Sequence, residues 1–554
     1  MLANHIGRLL GLVALFSALV VRTQAQCGAV SSATRITSGL SGFTGTLHDG
    51  DTFGYSLANL GDLDGDGVDD VAVGAPFAPG GGVGRGAVWI LFFNSDGTVK
   101  VSQLIDDVVG GFAGVLDDYD GFGFSVASLG DISGDGLPEL AVGAFDDDDG
   151  GQERGAVWIL FMRADGTVWA QWKISSTSGG LIGPLHDGDQ FGSAAAAIGD
   201  LDGDGLTELA VGAPGDDDGN GDAGAAWLLF LNPNGTVRAE QKISATSGNL
   251  PYVPSVVANL GRSVSSLGDI DDDGLPDICV GLPHAGTVGT GEAWILFLNP
   301  TGTVKGAQRL GTNLGGLSSI SPGFFGEATA GTSDINCDGT SDLVIGAPFD
   351  QEGAAYAVFL KPDGTALASY KIGESAGTLP ANLNLYDYFG GALVPVQDFD
   401  GNGVLDLLVG APFDDTAGPD RGAVWLLRLE CPSASAASRN GTGVNSALLA
   451  NVTLPVLGAS WRLDINCIGH APSLAYFLVY GSPVTGPIIG AGEILVGGQF
   501  FFRTSVAHSG NVRSFIIPVP NDPALCGLAA YTQGVCFGNP GAKLSNAIDV
   551  VLGR

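Results

Sequence analysis

The stretch GDLDGDGVDDVAVGAP at residues 61–76 returns, in altered form, five more times along this chain of 554 residues. The later copies are GDISGDGLPELAVGAF from 130, GDLDGDGLTELAVGAP from 199, GDIDDDGLPDICVGLP from 268, SDINCDGTSDLVIGAP from 333 and QDFDGNGVLDLLVGAP from 397. The first aspartates of successive copies are 69, 69, 69, 65 and 64 residues apart. A regular period of this kind is typical of a repeat fold in which each copy forms one supersecondary unit.

The same flanking segments accompany each copy. A Phe-Gly pair precedes five of them, at residues 53–54, 122–123, 191–192, 325–326 and 389–390, and Leu260-Gly261 precedes the fourth. An apolar run such as GAVWILF at 86–92 follows, and in five copies a turn such as SDG at 95–97 leads into one more run. Four short strands per repeat predict a propeller blade. Independent small sandwiches are disfavoured because one sheet of this size buries only a marginal core.

The ends of the repeat region indicate how the ring closes. The sixth copy ends near residue 431 without a fourth strand, whereas ATRITSG at 33–39 resembles KISSTSG at 173–179, the end of a fourth strand. We therefore expect the N-terminal segment to supply the missing outer strand of the last blade. The repeat count then predicts an all-β, six-bladed β-propeller over residues 26–431, with a seven-bladed ring as the alternative.

Two cysteines lie where this break in the chain would open a hairpin turn. Alignment of the N-terminal strand and of the last copy with the first copy places Cys27 and Cys431 at neighbouring positions of the turn at 95–96. We predict a Cys27–Cys431 disulfide that replaces the turn and locks the ring. Closing so long a loop would restrict the unfolded chain, by about 4–5 kcal/mol in the loop-entropy treatment.

Each copy also carries oxygen-bearing side chains at loop positions 1, 3, 5 and 9, and the backbone carbonyl of position 7 can add another oxygen. The candidate ligands are Asp62, Asp64, Asp66, Val68 and Asp70; Asp131, Ser133, Asp135, Leu137 and Glu139; Asp200, Asp202, Asp204, Leu206 and Glu208; Asp269, Asp271, Asp273, Leu275 and Asp277; Asp334, Asn336, Asp338, Thr340 and Asp342; and Asp398, Asp400, Asn402, Val404 and Asp406. Several charged oxygen donors on one flexible loop suit Ca²⁺, which takes roughly six to eight oxygen ligands. Matched register predicts up to six Ca²⁺ ions, although an Asx-rich turn is the alternative for any single loop.

The charge of the chain fits this interpretation. Acidic residues outnumber basic ones by 59 to 23, which leaves a formal net charge of −36. Nucleic acid is excluded as a partner because its phosphates would be repelled. Without metal the clustered carboxylates repel one another, so we expect metal binding and folding to be coupled.

The order of Phe-Gly, an acidic loop and Val73-Gly-Ala-Pro76 resembles the FG-GAP repeat of integrin alpha-subunit propellers. The resemblance covers about residues 33–431 and implies a propeller with calcium in interstrand loops on one face and ligand binding through other loops. Integrin propellers have seven blades, and the sequence has no leg region or transmembrane helix to match, so integrin signalling is not implied. The chain resembles secreted bacterial FG-GAP proteins of the planctomycete type more than it resembles integrins.

The first 25 residues have the features of a secretory signal peptide. Arg8 lies ahead of the apolar run at 9–21, and Thr23-Gln24-Ala25 forms a cleavage site between small residues. We therefore expect a secreted protein, extracellular or in the cell envelope, in which calcium is abundant. The later apolar segments are too short to span a membrane.

The repeat is absent from the C-terminal part. Residues 432–440, PSASAASRN, predict a linker, and short apolar runs between Gly and Pro turns predict a small β-sandwich over 441–554. Cys526 and Cys536 are close enough in sequence to predict a local disulfide, for which Cys467 is a competitor. Cys279 lies in an apolar strand and is expected to be a buried free thiol.

These features favour a secreted, calcium-binding adhesion module that binds a protein or a glycan. The candidate ligand-binding surfaces are the acidic segments Asp146–Glu153, Asp216–Asp222 and Asp414–Arg421. A cell-envelope scaffold anchored by the C-terminal module is the first alternative. A hydrolase or lyase with a site in the propeller channel is the second, but the sequence contains no HExxH, GxSxG or phosphate-binding glycine loop. We therefore do not expect an enzyme.

Overall fold

The structure is a computed structural model that describes residues 28–286, 289–318, 320–321, 323–336, 340–379, 383–430, 435–439, 449–456, 459–468, 472–483, 488–489, 492–493, 496–519, 529–537 and 542–552. One compact unit spans Cys27–Cys431, and Pro432–Arg554 belong to a second one. The regular secondary structure of the described residues consists of β-strands. None of these residues form a helix long and apolar enough to span a membrane.

Within its described residues the first unit contains six four-stranded antiparallel sheets, the number that the repeat count predicts. The strands of the first five sheets are β2 (Leu57–Gly61), β3 (Asp70–Ala75), β4 (Ala87–Phe93) and β5 (Val99–Ile105); β6 (Phe122–Ser128), β7 (Glu139–Ala144), β8 (Ala156–Met162) and β9 (Val168–Ile174); β10 (Ala194–Gly199), β11 (Glu208–Ala213), β12 (Ala225–Leu231) and β13 (Val237–Ile243); β14 (Ser263–Gly268), β15 (Asp277–Leu282), β16 (Glu292–Leu298) and β17 (Val304–Gly311); and β18 (Thr329–Thr332), β19 (Asp342–Ala347), β20 (Ala354–Leu360) and β21 (Ala366–Ile372). The sixth sheet consists of β22 (Ala392–Val396), β23 (Asp406–Ala411), β24 (Ala423–Glu430) and the N-terminal β1 (Ala29–Ile36).

Burial follows the position of a strand in its sheet. The second and third strands, such as β3 and β4, are buried along all or nearly all of their length. Because neighbouring sheets cover both of their faces, they are continuous apolar runs rather than alternating ones. The fourth strand, such as β5, is buried only at its two ends and partly exposed between them. These features confirm the prediction of an all-β propeller.

The N-terminal strand lies where the sequence analysis expects the missing outer strand. β1 pairs antiparallel with β24, from Ala29 opposite Glu430 to Ile36 opposite Val424. Ile36 is fully buried in the core between the first and sixth sheets. The predicted Cys27–Cys431 disulfide lies outside the described residues.

The Phe-Gly and Gly-Ala-Pro signatures meet at the joints between sheets. A Cβ atom added to Gly74 would lie 1.9 Å from the carbonyl oxygen of Gly123 in the next sheet. Gly123 itself has a φ of 93°, a conformation that disfavours any residue with a side chain. The adjacent Phe122 is fully buried and forms a β-bridge with Gly86 of the preceding sheet. Both glycines therefore permit two backbones to approach more closely than side chains would allow.

The same joint recurs around the molecule and closes it. The bridges between consecutive sheets are Gly86–Phe122, Gly155–Phe191, Gly224–Leu260, Gly291–Phe325 and Gly353–Phe389, and Phe53–Gly422 joins the sixth sheet to the first. At this last joint the guanidinium of Arg421 lies 2.7 Å from the carboxylate of Asp49. The described sheets therefore form a closed ring.

Buried carboxylates pair with basic side chains at the opposite end of the sheets from the acidic loops, a feature that sequence analysis missed. In the third sheet Nζ of Lys242 lies 2.5 Å from Asp216 and 5.3 Å from the ring centroid of Trp227. The corresponding groups of basic, acidic and aromatic residues are Lys173, Asp147 and Trp158; Arg309, Glu292 and Trp294; and Arg35, Asp414 and Trp425. The signal was a basic residue just before the end of the fourth strand in five of the six repeats, aligned with an aspartate after most Gly-Ala-Pro segments; the first repeat has Leu104 there.

The second unit is a sandwich of two antiparallel sheets. One contains β25 (Ser435–Arg439), β28 (Ser473–Pro483), β31 (Val496–His508), β33 (Ala529–Cys536) and β34 (Lys543–Val551), and the other β26 (Leu449–Asn451), β27 (Ser460–Asn466) and β32 (Val512–Pro518). Two further short strands, β29 (Ile488–Ile489) and β30 (Gly492–Glu493), pair with each other. The core lies between the two large sheets, where Trp461 and Phe515 of one pack with Phe477 of the other.

The predicted Cys526–Cys536 disulfide is wrong. Cys536 pairs instead with Cys467, at a Cα–Cα distance of 5.6 Å, and Cys526 lies outside the described residues. Cys467 follows β27 and Cys536 ends β33, so the two meet across the core although they are 69 residues apart in sequence. Short separation along the chain was therefore a poor guide. Cys279 is a buried free thiol, as predicted.

Candidate metal site

The six acidic loops occupy equivalent places between the first and second strands of their sheets. The carboxylate of the position-1 aspartate closes each of the fully described loops by accepting backbone N–H bonds from later residues. In the first loop, Asp62 accepts bonds from Asp66 at 2.8 Å and from Gly67 at 2.8 Å. Asp66 in turn accepts a bond of 3.0 Å from the N–H of Val68. The carboxylates thus order the loop by accepting hydrogen bonds from its own backbone.

Four of the loops bring three or four carboxylates together in the described part of the chain. In each group one oxygen of every member lies within 4.8 Å of the others. The groups are Asp62, Asp64 and Asp66; Asp131, Asp135 and Glu139; Asp200, Asp202, Asp204 and Glu208; and Asp269, Asp271 and Asp273. An oxygen-only donor set with this much charge suits a hard divalent cation such as Ca²⁺.

Position 9 has two different roles, which depend on side-chain length. The aspartates accept hydrogen bonds from backbone N–H groups with both carboxylate oxygens. Asp70 accepts bonds from the N–H of Leu63 at 3.0 Å and of Phe93 at 3.3 Å. The glutamates are one methylene longer, and Glu139 and Glu208 join the acidic groups of their loops. The predicted position-9 ligand is therefore brought to the cluster in the second and third loops, whereas Asp70 and Asp277 lie outside the clusters of the first and fourth.

Glu208 gives the clearest sign that a cation fits. Its side chain is fully buried, its Oε2 accepts a bond of 2.5 Å from the N–H of Leu201, and its Oε1 has no hydrogen-bond donor among the described residues. The Glu208 carboxylate belongs to the four-carboxylate group of the third loop. A buried carboxylate oxygen without a donor is costly unless a cation compensates it.

Burial raises the pKa of the position-9 carboxyl groups. Desolvation, reinforced by the neighbouring loop aspartates, raises the pKa of Glu208 to about 7. Burial likewise raises the pKa of Asp70 and of Asp277 to about 7 and that of Asp406 to about 6, and it raises the pKa of Glu139. Burial disfavours the charged form of each of these carboxyl groups, and a nearby cation would offset this desolvation cost.

In three loops a basic side chain from the fourth strand of the same sheet contacts positions 3 and 5. The contacts to carboxylate oxygens are Lys100 to Asp64 (2.8 Å) and Asp66 (2.6 Å), Arg238 to Asp202 (2.7 Å) and Asp204 (2.6 Å), and Lys305 to Asp271 (3.0 Å) and Asp273. These side chains are a quarter to two-fifths exposed, so water reaches them. Sequence analysis did not include them, although a basic residue follows the Thr-Val of each of these strands.

The remaining predicted ligands are distributed less uniformly. Asp338 of the fifth loop lies outside the described residues, and Asn336 and Asp342 of that loop are buried. In the sixth loop, Asp398 accepts bonds from the N–H groups of Gly401 and Gly403, while the side chain of Asn402 donates to the carbonyl of Leu429. The position-7 residues Val68 and Val404 bury their side chains, and Leu137, Leu206 and Leu275 pack at the edge of the cores. The carbonyl oxygens of position 7 remain a prediction.

A second acidic feature lies among the loops at the other end of the sheets. Asp118, Asp146, Asp148 and Glu153, together with Tyr119, line an open cleft of about 820 Å³ between two loops. Burial, with the nearby Glu153 and Asp148, raises the pKa of Asp146 to about 6. The cleft includes part of the predicted surface segment 146–153 and would attract a positively charged group.

Five of the six repeats match a known repeat family. Residues 53–91, 122–160, 191–229, 325–359 and 389–427 match the FG-GAP repeat family. The chain contains FG-GAP repeats and resembles integrin alpha subunits in this region. The fourth copy is not among the matched segments, and it has Leu260 where the others have phenylalanine. It nevertheless forms the same four-stranded sheet, and Leu260 makes the same bridge to the preceding sheet.

Similar curated proteins are integrin alpha subunits. The chain is 32% identical over 203 residues to integrin alpha-3 of Cricetulus griseus, an alignment that covers 36% of this chain and 17% of the integrin. It is 30% identical over 241 residues to integrin alpha-PS2 of Drosophila melanogaster, covering 43% of this chain and 16% of the integrin. The chain therefore spans less than a fifth of the length of these relatives. The resemblance inferred from the repeats is confirmed.

Proposed function

We propose that this protein is an extracellular adhesion module whose FG-GAP repeats bind Ca²⁺ in the acidic loops and whose opposite loops bind a ligand. The observation that carries the metal part is the third loop, in which Asp200, Asp202, Asp204 and the buried Glu208 converge. Ca²⁺ there would be held by carboxylates, and it would neutralise charge that otherwise destabilises the loops. The similarity to integrin alpha subunits supports the adhesive role.

Metal binding is tested by melting the protein in millimolar Ca²⁺ and in EDTA. We expect a melting temperature several degrees higher in Ca²⁺, because an ion that binds only the native state stabilises it by mass action. Asp202→Asn should reduce this difference. Glu153→Gln removes the same charge from the cleft and should leave the difference unchanged. Equal melting temperatures of the wild type in Ca²⁺ and EDTA would rule out coupling of metal to folding.

The ligand-binding part rests on the acidic cleft lined by Asp118, Asp146, Asp148 and Glu153. Four carboxyl groups around an open volume favour a protein ligand that presents a lysine or arginine over a neutral glycan. Binding of fluorescent peptides containing Arg or Lys, compared with peptides containing Gln, tests this. We expect selective binding of the basic peptides in Ca²⁺ and its loss in Asp146→Asn/Asp148→Asn. Glycan-array binding that survives this double substitution would place the ligand site elsewhere.

A further inference from the structure

Three of the acidic loops already contain a cation that belongs to the protein. Lys100, Arg238 and Lys305 occupy the same place on the fourth strand of the first, third and fourth sheets. Each contacts the carboxylates of positions 3 and 5, at distances of a direct ion pair. The same contact recurs in three copies of the repeat. It is therefore a recurring structural feature and not a chance contact of one surface side chain.

The other three repeats lack this basic residue. Strand register places Trp169, Leu367 and Ser31 at the matching positions of the second, fifth and sixth sheets. The second loop is the natural comparison, because Asp131, Asp135 and Glu139 converge there and no described basic side chain forms an ion pair with them. The chain thus contains similar carboxylate groups with and without an internal cation.

We propose that Lys100, Arg238 and Lys305 are internal counter-cations that compete with Ca²⁺ and divide the loops into a weak-binding and a tight-binding class. The inference rests on the proposed calcium binding. The carboxylates of positions 3 and 5 that would hold the metal also hold the ammonium or guanidinium group. A divalent ion must therefore displace that group, or accept its positive charge a few ångströms away, and either lowers the affinity.

The same contacts stabilise the loops when metal is scarce. In the third loop Arg238 lies 3.7 Å from the otherwise unpartnered Oε1 of Glu208, so it partly compensates the buried charge. Its long side chain is 30% exposed and can turn towards solvent when a metal ion enters. The first, third and fourth sheets would then keep their loops ordered at low calcium, whereas the second loop would depend on the ion.

The test counts Ca²⁺ ions on the intact protein by native mass spectrometry across a calcium titration. We expect Lys100→Gln/Arg238→Gln/Lys305→Gln to bind up to three more ions than the wild type at subsaturating calcium, with about fivefold tighter binding at each loop. Trp169→Lys should lose one ion at the same calcium concentration. Arg154→Gln removes one positive charge and an ion pair at the opposite end of a sheet, and should leave the count unchanged.

Thermal melting of the triple variant in EDTA and in Ca²⁺ provides a second readout. In EDTA the triple variant should melt below the wild type because its loops lose their counter-cations, whereas in saturating Ca²⁺ the gap should narrow. If the triple variant does not fold, Lys100→Gln alone is counted, with one additional ion expected. An unchanged ion count in the variants, together with calcium binding by the wild type, would overturn the inference. Absence of calcium binding by the wild type would instead overturn the proposed function.

Discussion

At the scale of single residues, one methylene group decides what position 9 of an acidic loop does. An aspartate such as Asp70 reaches only the backbone N–H groups around it, whereas Glu208 spans the same backbone contact and still presents an oxygen to the cluster. Both residue types look like equivalent carboxylate ligands in the sequence. Their different roles follow from reach within a buried site, which only the structure shows.

The buried carboxyl groups also predict how stability depends on pH. Asp70, Glu208 and Asp277 have pKa values raised to about 7, above the values of an unfolded chain. The native state then holds protons that the unfolded state has released, so metal-free stability falls as pH rises from about 4 to 7 and levels off above. Ca²⁺ requires the ionised carboxylates. We therefore expect the difference in melting temperature between Ca²⁺ and EDTA to be larger at pH 8 than at pH 5.5. A difference independent of pH would contradict this.

Gly74 illustrates a glycine that is required for close approach. A methyl group at this position would lie 1.9 Å from the carbonyl oxygen of Gly123, and both atoms belong to rigid strands. We expect Gly74→Ala to lower the free energy of unfolding by about 2 kcal/mol or more, measured by urea denaturation. Gly221→Ala is the control, since its Cβ would meet only the end of the Asp217 side chain at 3.9 Å. Similar stability of the two variants would show that the joint can relax.

At the scale of the elements, each four-stranded sheet has an acidic loop at one end, and four of the six described sheets have a basic-acidic-aromatic group at the other. Lys242 lies against Trp227 and pairs with Asp216, which is 1% exposed. The apolar residues Val237 and Ile243 already indicate that β13 is buried at its two ends. That a lysine next to Ile243 would meet an aspartate from a different loop depends on strand register, which sets the neighbours across the sheet.

Removing Lys242 should leave Asp216 buried without its counter-charge. We expect Lys242→Met to destabilise the protein by about 3 kcal/mol, measured by chemical denaturation. Lys242→Met/Asp216→Leu removes both charges and should recover much of this loss. Lys361→Met, in a hairpin turn, serves as the control substitution. A double variant no more stable than the single one would mean that packing against Trp227, rather than charge, is the main contribution.

At the scale of the whole molecule, we expect the stability of the propeller to depend on closure of the ring. The joint of Phe53 with Gly422, the ion pair of Arg421 with Asp49 and the pairing of β1 with β24 all connect the two ends of the repeat region. Each connects residues more than 350 positions apart. A contact between residues so far apart contributes no stability until the intervening sheets have formed. Closure should therefore make unfolding of the propeller cooperative.

A chain that begins after residue 36 lacks β1, and we expect it to be less stable and to self-associate. Without β1, the edge of β24 is exposed and Ile36 leaves the core between the first and sixth sheets. We expect a lower melting temperature and self-association through the open edge, measured by size-exclusion chromatography with light scattering. A chain that begins at residue 26 is the matched control. A truncated protein that remains monomeric and equally stable would show that the ring does not need this strand.

The sequence by itself determined the repeat, the four strands of each copy, the place of the acidic loops and the resemblance to FG-GAP repeats, because all of these depend on local pattern and turn chemistry. Only the tertiary structure decided that Cys536 pairs with Cys467, that Glu208 joins its cluster while Asp70 does not, and that Lys100 enters a loop 34 to 36 residues earlier in the chain. The physical reason is common to all three. Side-chain reach, burial and neighbours across a sheet depend on distances in space, and spacing along the chain does not specify them.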